Sequence, residues 1–150
     1  MSRSIEIKEL SEPDAPLLES FAADVFDDAI DIRRANEFLA DPRHHLVAAL
    51  ADGRVVGFAS AVHYVHPDKP TPEMWVNELG VDPAFRRQGL ATSILSKLSE
   101  IAARLGCCDV WVLTERGNTA AMELYGSIPG SQAKDAVMFT FPVRFRDGGT

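Results

Sequence analysis

Residues 77–91 read Asn77-Glu78-Leu79-Gly80-Val81-Asp82-Pro83-Ala84-Phe85-Arg86-Arg87-Gln88-Gly89-Leu90-Ala91, and their reading decides the fold. A strand-like stretch stops at Asp82-Pro83, and a turn with two arginines and a glycine follows. From Leu90 the apolar period lengthens. Leu90, Ile94, Leu95, Leu98, Ile101, Ala102 and Leu105 fall on one stripe of a long helix that Gly106 closes. Such a turn aims the backbone N–H groups of Arg87, Gln88, Gly89, Leu90 and Ala91 outward from the helix start, where the positive end of the helix dipole also lies. Gly89 and small Ala91 let an anion come close, while Arg86 and Arg87 add charge-assisted donors. No Gly-Lys-Ser/Thr follows and the glycine spacing is not GxGxxG, so this is neither a Walker loop nor a dinucleotide turn. An anion-holding turn and a basic, solvated helix start both fit the residues.

Upstream of this turn, Ile5, Ile7 and Leu10 suggest an opening strand that Ser11-Glu12-Pro13 ends. Leu17, Leu18, Phe21, Val25 and Phe26 recur at helical spacing and predict a helix over 16–26; Ile32, Ala35, Phe38 and Leu39 predict a second, closed by Asp41-Pro42. The apolar run 45–51 has strand length, Asp52-Gly53 is a hairpin turn, and 54–66 is the return strand. A proline-rich loop at 67–72 leads to a strand over 73–81. Downstream of the long helix, 109–114 reads as a short buried strand. Asn118 caps a helix to about Tyr125, Gly126 to Gly130 breaks it, and 137–143 reads as a last strand whose Pro142 favours an edge. The polar tail 144–150 is expected to be mobile. The order predicts one α/β (α+β) domain over 1–150.

The chain has 150 residues, ordinary for one domain with its own core. Fifteen basic and 22 acidic side chains give a net charge of −7, which disfavours nucleic acid and anionic lipid and suits a cationic ligand. No apolar run is long enough to span a bilayer, and the start Met1-Ser2-Arg3-Ser4-Ile5-Glu6 lacks the core of a secretory signal, so a cytoplasmic location is expected. Cys107 and Cys108 are adjacent, a spacing that offers neither a redox pair nor a tetrahedral zinc site; no metal is expected.

Two blocks together carry a resemblance. Arg86-Arg87-Gln88-Gly89-Leu90-Ala91 is similar to the Arg/Gln-x-x-Gly-x-Gly/Ala signature of the GNAT acyltransferases, and Asn118-Thr119-Ala120-Ala121-Met122-Glu123-Leu124-Tyr125 resembles that family's second block. The resemblance implies the GNAT fold, a mixed, mostly antiparallel sheet with helices on both faces, and acetyl-coenzyme A as cosubstrate, held where the strands ending at Val81 and near Thr114 splay apart. Arg86, Arg87, Gln88, Gly89, Leu90, Ala91 and Thr92 would hold the pyrophosphate. The backbone of Leu79, Gly80 and Val81 would pair with the pantetheine arm, and Asn118, Ala121 and Tyr125 of the second block would contribute. A backbone N–H at a bulge, matched by Val81, would polarise the thioester carbonyl. Tyr125 matches the tyrosine that acts as acid toward the departing thiolate. The family's usual Lys-x-Gly-Phe after Leu-Tyr is replaced by Gly126-Ser127-Ile128-Pro129-Gly130, which alters the wall beside Tyr125.

Glu78 is the candidate base, acting directly or through a water. Strand alternation places it on one face with Val76 and Asn77 on the other, partly desolvated amid Trp75, Val76, Leu79 and Val81. A solvated edge carboxylate is the other reading. His63 and His66 are alternative bases. Asp24, Asp27, Asp28 and Asp31 form an acidic cluster between the first two predicted helices; Asp27 and Asp28, with Glu78 and Glu115, are candidate contacts for the substrate. Within the family the chain looks most like the small aminoglycoside 3-N-acetyltransferases, which implies an acidic base at Glu78, a cationic amine acceptor, antibiotic resistance and direct attack in a ternary complex. Other small amines, protein or peptide amines, and a non-catalytic binding module are the alternatives. A homodimer through 137–143 is a further expectation.

Overall fold

The hairpin at Asp52-Gly53 starts the sheet. Both residues have positive φ, 50° and 80°, the backbone that a two-residue turn between twisted strands requires. It joins β2 (His44–Ala51) to β3 (Arg54–Tyr64). β1 (Ile5–Glu9) lies outside β2 and β4 (Glu73–Val81) beside β3, all antiparallel, and β5 (Asp109–Val112) pairs with β4 in parallel, giving the order β1-β2-β3-β4-β5. The computed structural model describes residues 4–21 and 25–144, and Asp24 and residues 145–150 lie outside them.

Helices cover both faces, as expected. The helix α2 (Leu90–Arg104) buries Leu90, Ile94, Leu95, Leu98, Ile101 and Ala102 against one face. A 3-10 helix (Glu12–Glu19) and α1 (Ile32–Ala40) lie over Leu46 and Phe58 on the other, and α3 (Thr119–Gly126) follows β5. The sheet is close to its helices because its central strands carry small residues. Ala48, Ala49, Ala59 and Ala61 are fully buried, and a Cβ added to Gly57 would sit 3.3 Å from Ile94 Cδ1.

Three expectations need correction. The helix predicted over 16–26 is a 3-10 helix that starts and ends earlier, because Pro16 has no N–H to donate and Ser20 and Phe21 turn to the sheet: Val55 N donates to Ser20 O (3.0 Å) and Phe21 bridges Val55. The apolar residues are satisfied without a helix, with Leu18 and Val25 buried and the Phe26 ring 4.1 Å from that of Phe58. The strand predicted over 137–143 has no strand partner among the described residues; these residues are neither helical nor paired, and all are exposed. The third concerns Glu78. Ser60 pairs with Glu78 but the next residue, Ala61, pairs with Val76, so Asn77 is an extra residue in β4. That bulge breaks the simple alternation. Glu78 shares a face with Ser60 and Trp75, and Val76 turns into the opposite side.

His45 and His63 sit on the α2 side of the sheet, since Leu46, Phe58 and Ser60 of the same strands face the other way. His45 is 7% exposed, its Nε2 2.7 Å from His63 Nδ1, and burial followed by His63 lowers its pKa to about 4. A depressed histidine pKa means that the unfolded chain takes up this proton first as pH falls. The stability tied to neutral His45 is therefore present above about pH 6.5 and lost toward pH 4. Urea unfolding at pH 7 and pH 5 should show the wild type about 2 kcal/mol less stable at the lower pH from this group, with His45→Gln removing that part of the slope.

Candidate active site

Beyond Val76 the two parallel strands part. β5 pairs with β4 only from Glu73↔Asp109 to Val76↔Val112, where β5 ends, whereas β4 continues through the bulge to Val81. The β5-side backbone at the end of β4 thus has no strand partner among the described residues. Asp82 N donates to Val56 O (2.8 Å) on the β3 side, so alternation turns the N–H groups of Val81 and Leu79 toward the opening. The bulge itself lies at Asn77, upstream of Val81 where the resemblance placed it.

The turn at the end of β4 is held locally. Asp82 Oδ1 accepts from Ala84 N (2.9 Å), Phe85 is buried, and Arg86 Nε donates to Val81 O (3.3 Å). Arg87 and Gly89 have φ of 65° and 74°. Gly89 is the N-cap of α2 and has no side chain to cap it. The first helical bond there runs from Ser93 N to Gly89 O (3.0 Å), so the N–H groups of Leu90, Ala91 and Thr92 have no acceptor within the helix. A Cβ on Gly89 would meet nothing within 4 Å. The space above these donors is open, and Arg86, Arg87, Gln88 and Thr92 are exposed around it. Free amides at a helix start, guanidinium groups and an open approach fit a pyrophosphate.

On the face opposite α2, a cavity of about 340 Å³ is lined by Leu18, Phe26, Asp27, Asp28, Asp31, Arg34, Phe38, Leu46, Phe58, Ser60 and Glu78. Three of the four predicted substrate contacts, Asp27, Asp28 and Glu78, meet here. Glu115 does not; it is exposed beyond β5, and its carbonyl accepts from Asn118 N (2.9 Å). Glu78 is exposed to the cavity rather than wrapped by Trp75, Val76, Leu79 and Val81, and Ser60 Oγ lies 3.4 Å from its Oε1. Asp31 accepts from Arg33 N and caps α1, and Arg34 is paired with Glu37 at 2.7 Å. Asp27 and Asp28 have no partner among the described residues. The polar wall is therefore a carboxylate wall, suited to ammonium groups.

The segment carrying Asp27 and Asp28 is positioned by a glycine. A Cβ on Gly80 would lie 2.5 Å from Val25 O and 3.2 Å from Phe58 Cε1, so only glycine lets this segment reach β4. Neither alternative base joins the cavity wall. His63 pairs with His45 behind the sheet, and His66 Nε2 is 2.8 Å from Glu73 Oε2, farther along β4. Glu73 also accepts from Tyr64 Oη (3.2 Å), which accepts from Trp111 Nε1 (2.8 Å), and His66 and Tyr64 hold this carboxyl below its usual range. Trp75 and Trp111 stack there with centroids 5.1 Å apart. Glu73, Cys108 and Asp109 bring ligand atoms within 4.8 Å of one another, the one such grouping among the described residues. Tyr125 is half-buried in α3, and burial pushes its phenol up, keeping it protonated at neutral pH. Asn118 Oδ1 accepts from Ala121 N (3.1 Å), the predicted cap. Sequence reasoning missed Ser60, Phe26 and Phe58; the lone hydroxyl in the apolar run 55–62 was the available signal for Ser60.

Comparison with known proteins gives the family and the fold. Residues 5–127 match the acetyltransferase (GNAT) family. The chain is 32% identical over 126 residues to the N-alpha-acetyltransferase RimI of Mycobacterium tuberculosis H37Rv, covering 83% of this chain and 77% of the relative. In fold it is similar to an aminoglycoside acetyltransferase, meta-AAC0020, from an uncultured soil metagenomic sample in complex with sisomicin (TM-score 0.82, 18% identity, 93% of this chain and 97% of that one). It is likewise similar to aminoglycoside N-acetyltransferase AAC(6')-Iy in complex with CoA (TM-score 0.77, 17% identity, 95% and 98%). The Gly80 contact gives a direct test of the cavity. Gly80→Ala should lower stability by about 1–3 kcal/mol and raise the acceptor KM about tenfold, with acetyl-coenzyme A affinity changed far less; equal losses for both ligands would refute a role in placing the acidic segment.

Proposed function

Because the chain belongs to the acetyltransferase (GNAT) family, a family of acetyl-coenzyme A-dependent N-acetyltransferases, we propose that it acetylates an amino group of an aminoglycoside by direct attack in a ternary complex. The observation that carries the reading is the single cavity in which Glu78, Asp27 and Asp28 converge, on a sheet whose next strand gap is open to the donor. A polycationic sugar suits such a wall, since each ammonium group finds a carboxylate and the rings find Phe26, Phe38 and Phe58. The structures similar in fold that were solved with sisomicin or CoA make the same pairing of ligands reasonable for this chain.

In this reading Arg86, Arg87, Gln88 and Gly89, with the amides of Leu90, Ala91 and Thr92, hold the donor's pyrophosphate, and the backbone of Leu79 and Val81, on either side of Gly80, pairs with its arm. Asn118 and Ala121 fix the start of α3 beside it. Glu78 takes the proton from the acceptor amine, directly or through a water held with Ser60. The Val81 N–H donates to the carbonyl oxygen as charge builds there. Tyr125 gives a proton to the sulfur as the C–S bond breaks and the C–N bond forms, so the products are an N-acetyl amine and coenzyme A. Cys107 and Cys108 take no part: Cys107 is pushed up by burial, the wrong direction for a nucleophile. Acetylation of such a drug would remove a charge it needs, which is the basis of resistance.

The resemblance points to the 3-amino group, whereas AAC(6')-Iy carries the 6' position in its name, so the product must be mapped. The RimI relative favours a second reading, acetylation of a protein's N-terminal amine. Free-thiol release from acetyl-coenzyme A should be measured against aminoglycosides, polyamines and N-terminal peptides. Turnover of an aminoglycoside, with peptides inert, is the expected result; the reverse selects the second reading. Glu78→Gln should lower kcat about 10²–10⁴-fold with acetyl-coenzyme A affinity unchanged, and an unaltered kcat would remove Glu78 as base. Tyr125→Phe should lower kcat with little effect on acceptor KM, and the loss should be smaller than that of Glu78→Gln.

A further inference from the structure

At the closed end of the strand gap, away from the cavity, sulfur, oxygen and nitrogen donors come together. The parallel ladder of β4 and β5 opens with Glu73↔Asp109, so two carboxylates stand side by side where the strands begin. Cys108 N donates to Pro72 O (3.1 Å), which fixes the residue before β5 against the residue before β4, and Cys108 Sγ lies 3.7 Å from Asp109 Oδ2. One ligand atom from each of Glu73, Cys108 and Asp109 falls within 4.8 Å of the others. The adjacent cysteines divide: Cys107 packs against the core, whereas Cys108 is exposed beside the carboxylates. His66 Nε2 and Tyr64 Oη both reach Glu73 Oε2, at 2.8 and 3.2 Å, and leave its Oε1 without a hydrogen bond among the described residues.

Like charges at the same register of neighbouring strands repel, and Asp109 has no cationic partner among the described residues to offset Glu73. A divalent cation turns that repulsion into attraction and uses the thiol as well. We infer that Glu73, Cys108 and Asp109 form a binding site for a zinc-type divalent transition metal, with His66 and Tyr64 holding Glu73 in place. Tetrahedral Zn²⁺ with one sulfur and the rest oxygen sets its ligand atoms about 3.5 Å apart, so an adjustment of about 1 Å closes the set. Cys108 and Asp109 are exposed and Glu73 is half-buried, which leaves their side chains free to make it. A thiolate among the ligands favours Zn²⁺ over Ca²⁺ and Mg²⁺. The thiol proton passes to solvent as Cys108 binds, and water takes the fourth position. The ion ties β4 to β5 three residues before Val76↔Val112, about 10 Å from the point where the gap opens. The sequence carries no metal-site spacing because the donors come from two strands some 35 residues apart.

The test reads metal rather than turnover, so it stands apart from the acceptor assignment. Titration of the untagged, reduced full chain with Co²⁺ should saturate at a single ion and give a near-ultraviolet thiolate-to-metal charge-transfer band that Zn²⁺ bleaches and Ca²⁺ leaves. Cys108→Ser should abolish the band and Cys107→Ser should keep it. Glu73→Gln and Asp109→Asn should each weaken Zn²⁺ binding about tenfold or more. Heat unfolding gives a second readout. Without metal, Asp109→Asn should melt no lower than the wild type, because it removes the repulsion. With Zn²⁺ at about 100 times the wild-type Kd, the wild type should gain about 5–10 °C and the variant at most about half of that. Co²⁺ binding that does not saturate by millimolar metal overturns the proposal, as does a band that survives Cys108→Ser or is lost with Cys107→Ser. Equal protection of the wild type and Asp109→Asn by Zn²⁺ overturns it too.

Discussion

One inserted residue governs the centre of this protein. Asn77 has no partner in β3, and the strand must bulge there. The bulge falls at the point where the β4–β5 ladder stops, after Val76↔Val112. A regular strand would have continued the ladder and left Glu78 facing α2 beside Val76. With the extra residue, Glu78 faces the acidic cavity, and the backbone beyond it faces an opening. The cavity on one side and the open strand gap on the other, the two places that the proposed ternary complex would use, thus follow from a single irregularity in pairing.

Small residues set the distances on which that arrangement depends. Gly57 allows Ile94 to reach the sheet on one face, and Gly80 allows the Val25 carbonyl to reach it on the other. Neither contact is a strong attraction. Each is a permission, and what it admits is larger: the buried stripe of α2 in the first case, the segment bearing Asp27 and Asp28 in the second. Carboxylates gathered in this way repel one another, and the fold tolerates them because Asp27, Asp28 and Glu78 stay in contact with water. The same exposure leaves them available to a cationic ligand.

The far end of the molecule shows the opposite imbalance. β2 and β3 are buried almost throughout, whereas β5 is half uncovered and α3 has no buried residue. Local propensity still forms both elements: Val110, Trp111 and Val112 favour a strand, and Asn118 caps the helix that follows. Tertiary burial, which normally contributes most of such elements' stability, is what they lack within one chain.

Much of the fold was legible because local signals agreed. Asp52-Gly53 announced the hairpin, the change of period at Leu90 announced α2, and Asn118 announced α3; the structure places all three where the residues put them. The open turn over Arg86 to Ala91 was legible for the same reason, since its free amides come from consecutive residues; that it holds the donor's pyrophosphate is the proposal. The helix over 16–26 failed because apolar spacing cannot tell a helix from a chain that buries the same residues by packing on Val55 and Phe58. The strand over 137–143 is a pattern without a strand partner among the described residues, since a strand is made by the edge it pairs with. The face of Glu78 and the company of Asp27, Asp28 and Ser60 were not in the sequence either. They depend on a pairing shift between strands that no single strand records, and on a close approach at Gly80 by a segment some fifty-five residues away. Sequence determined which groups the protein carries and which local turns hold them; the register and contact of distant segments decided which groups meet.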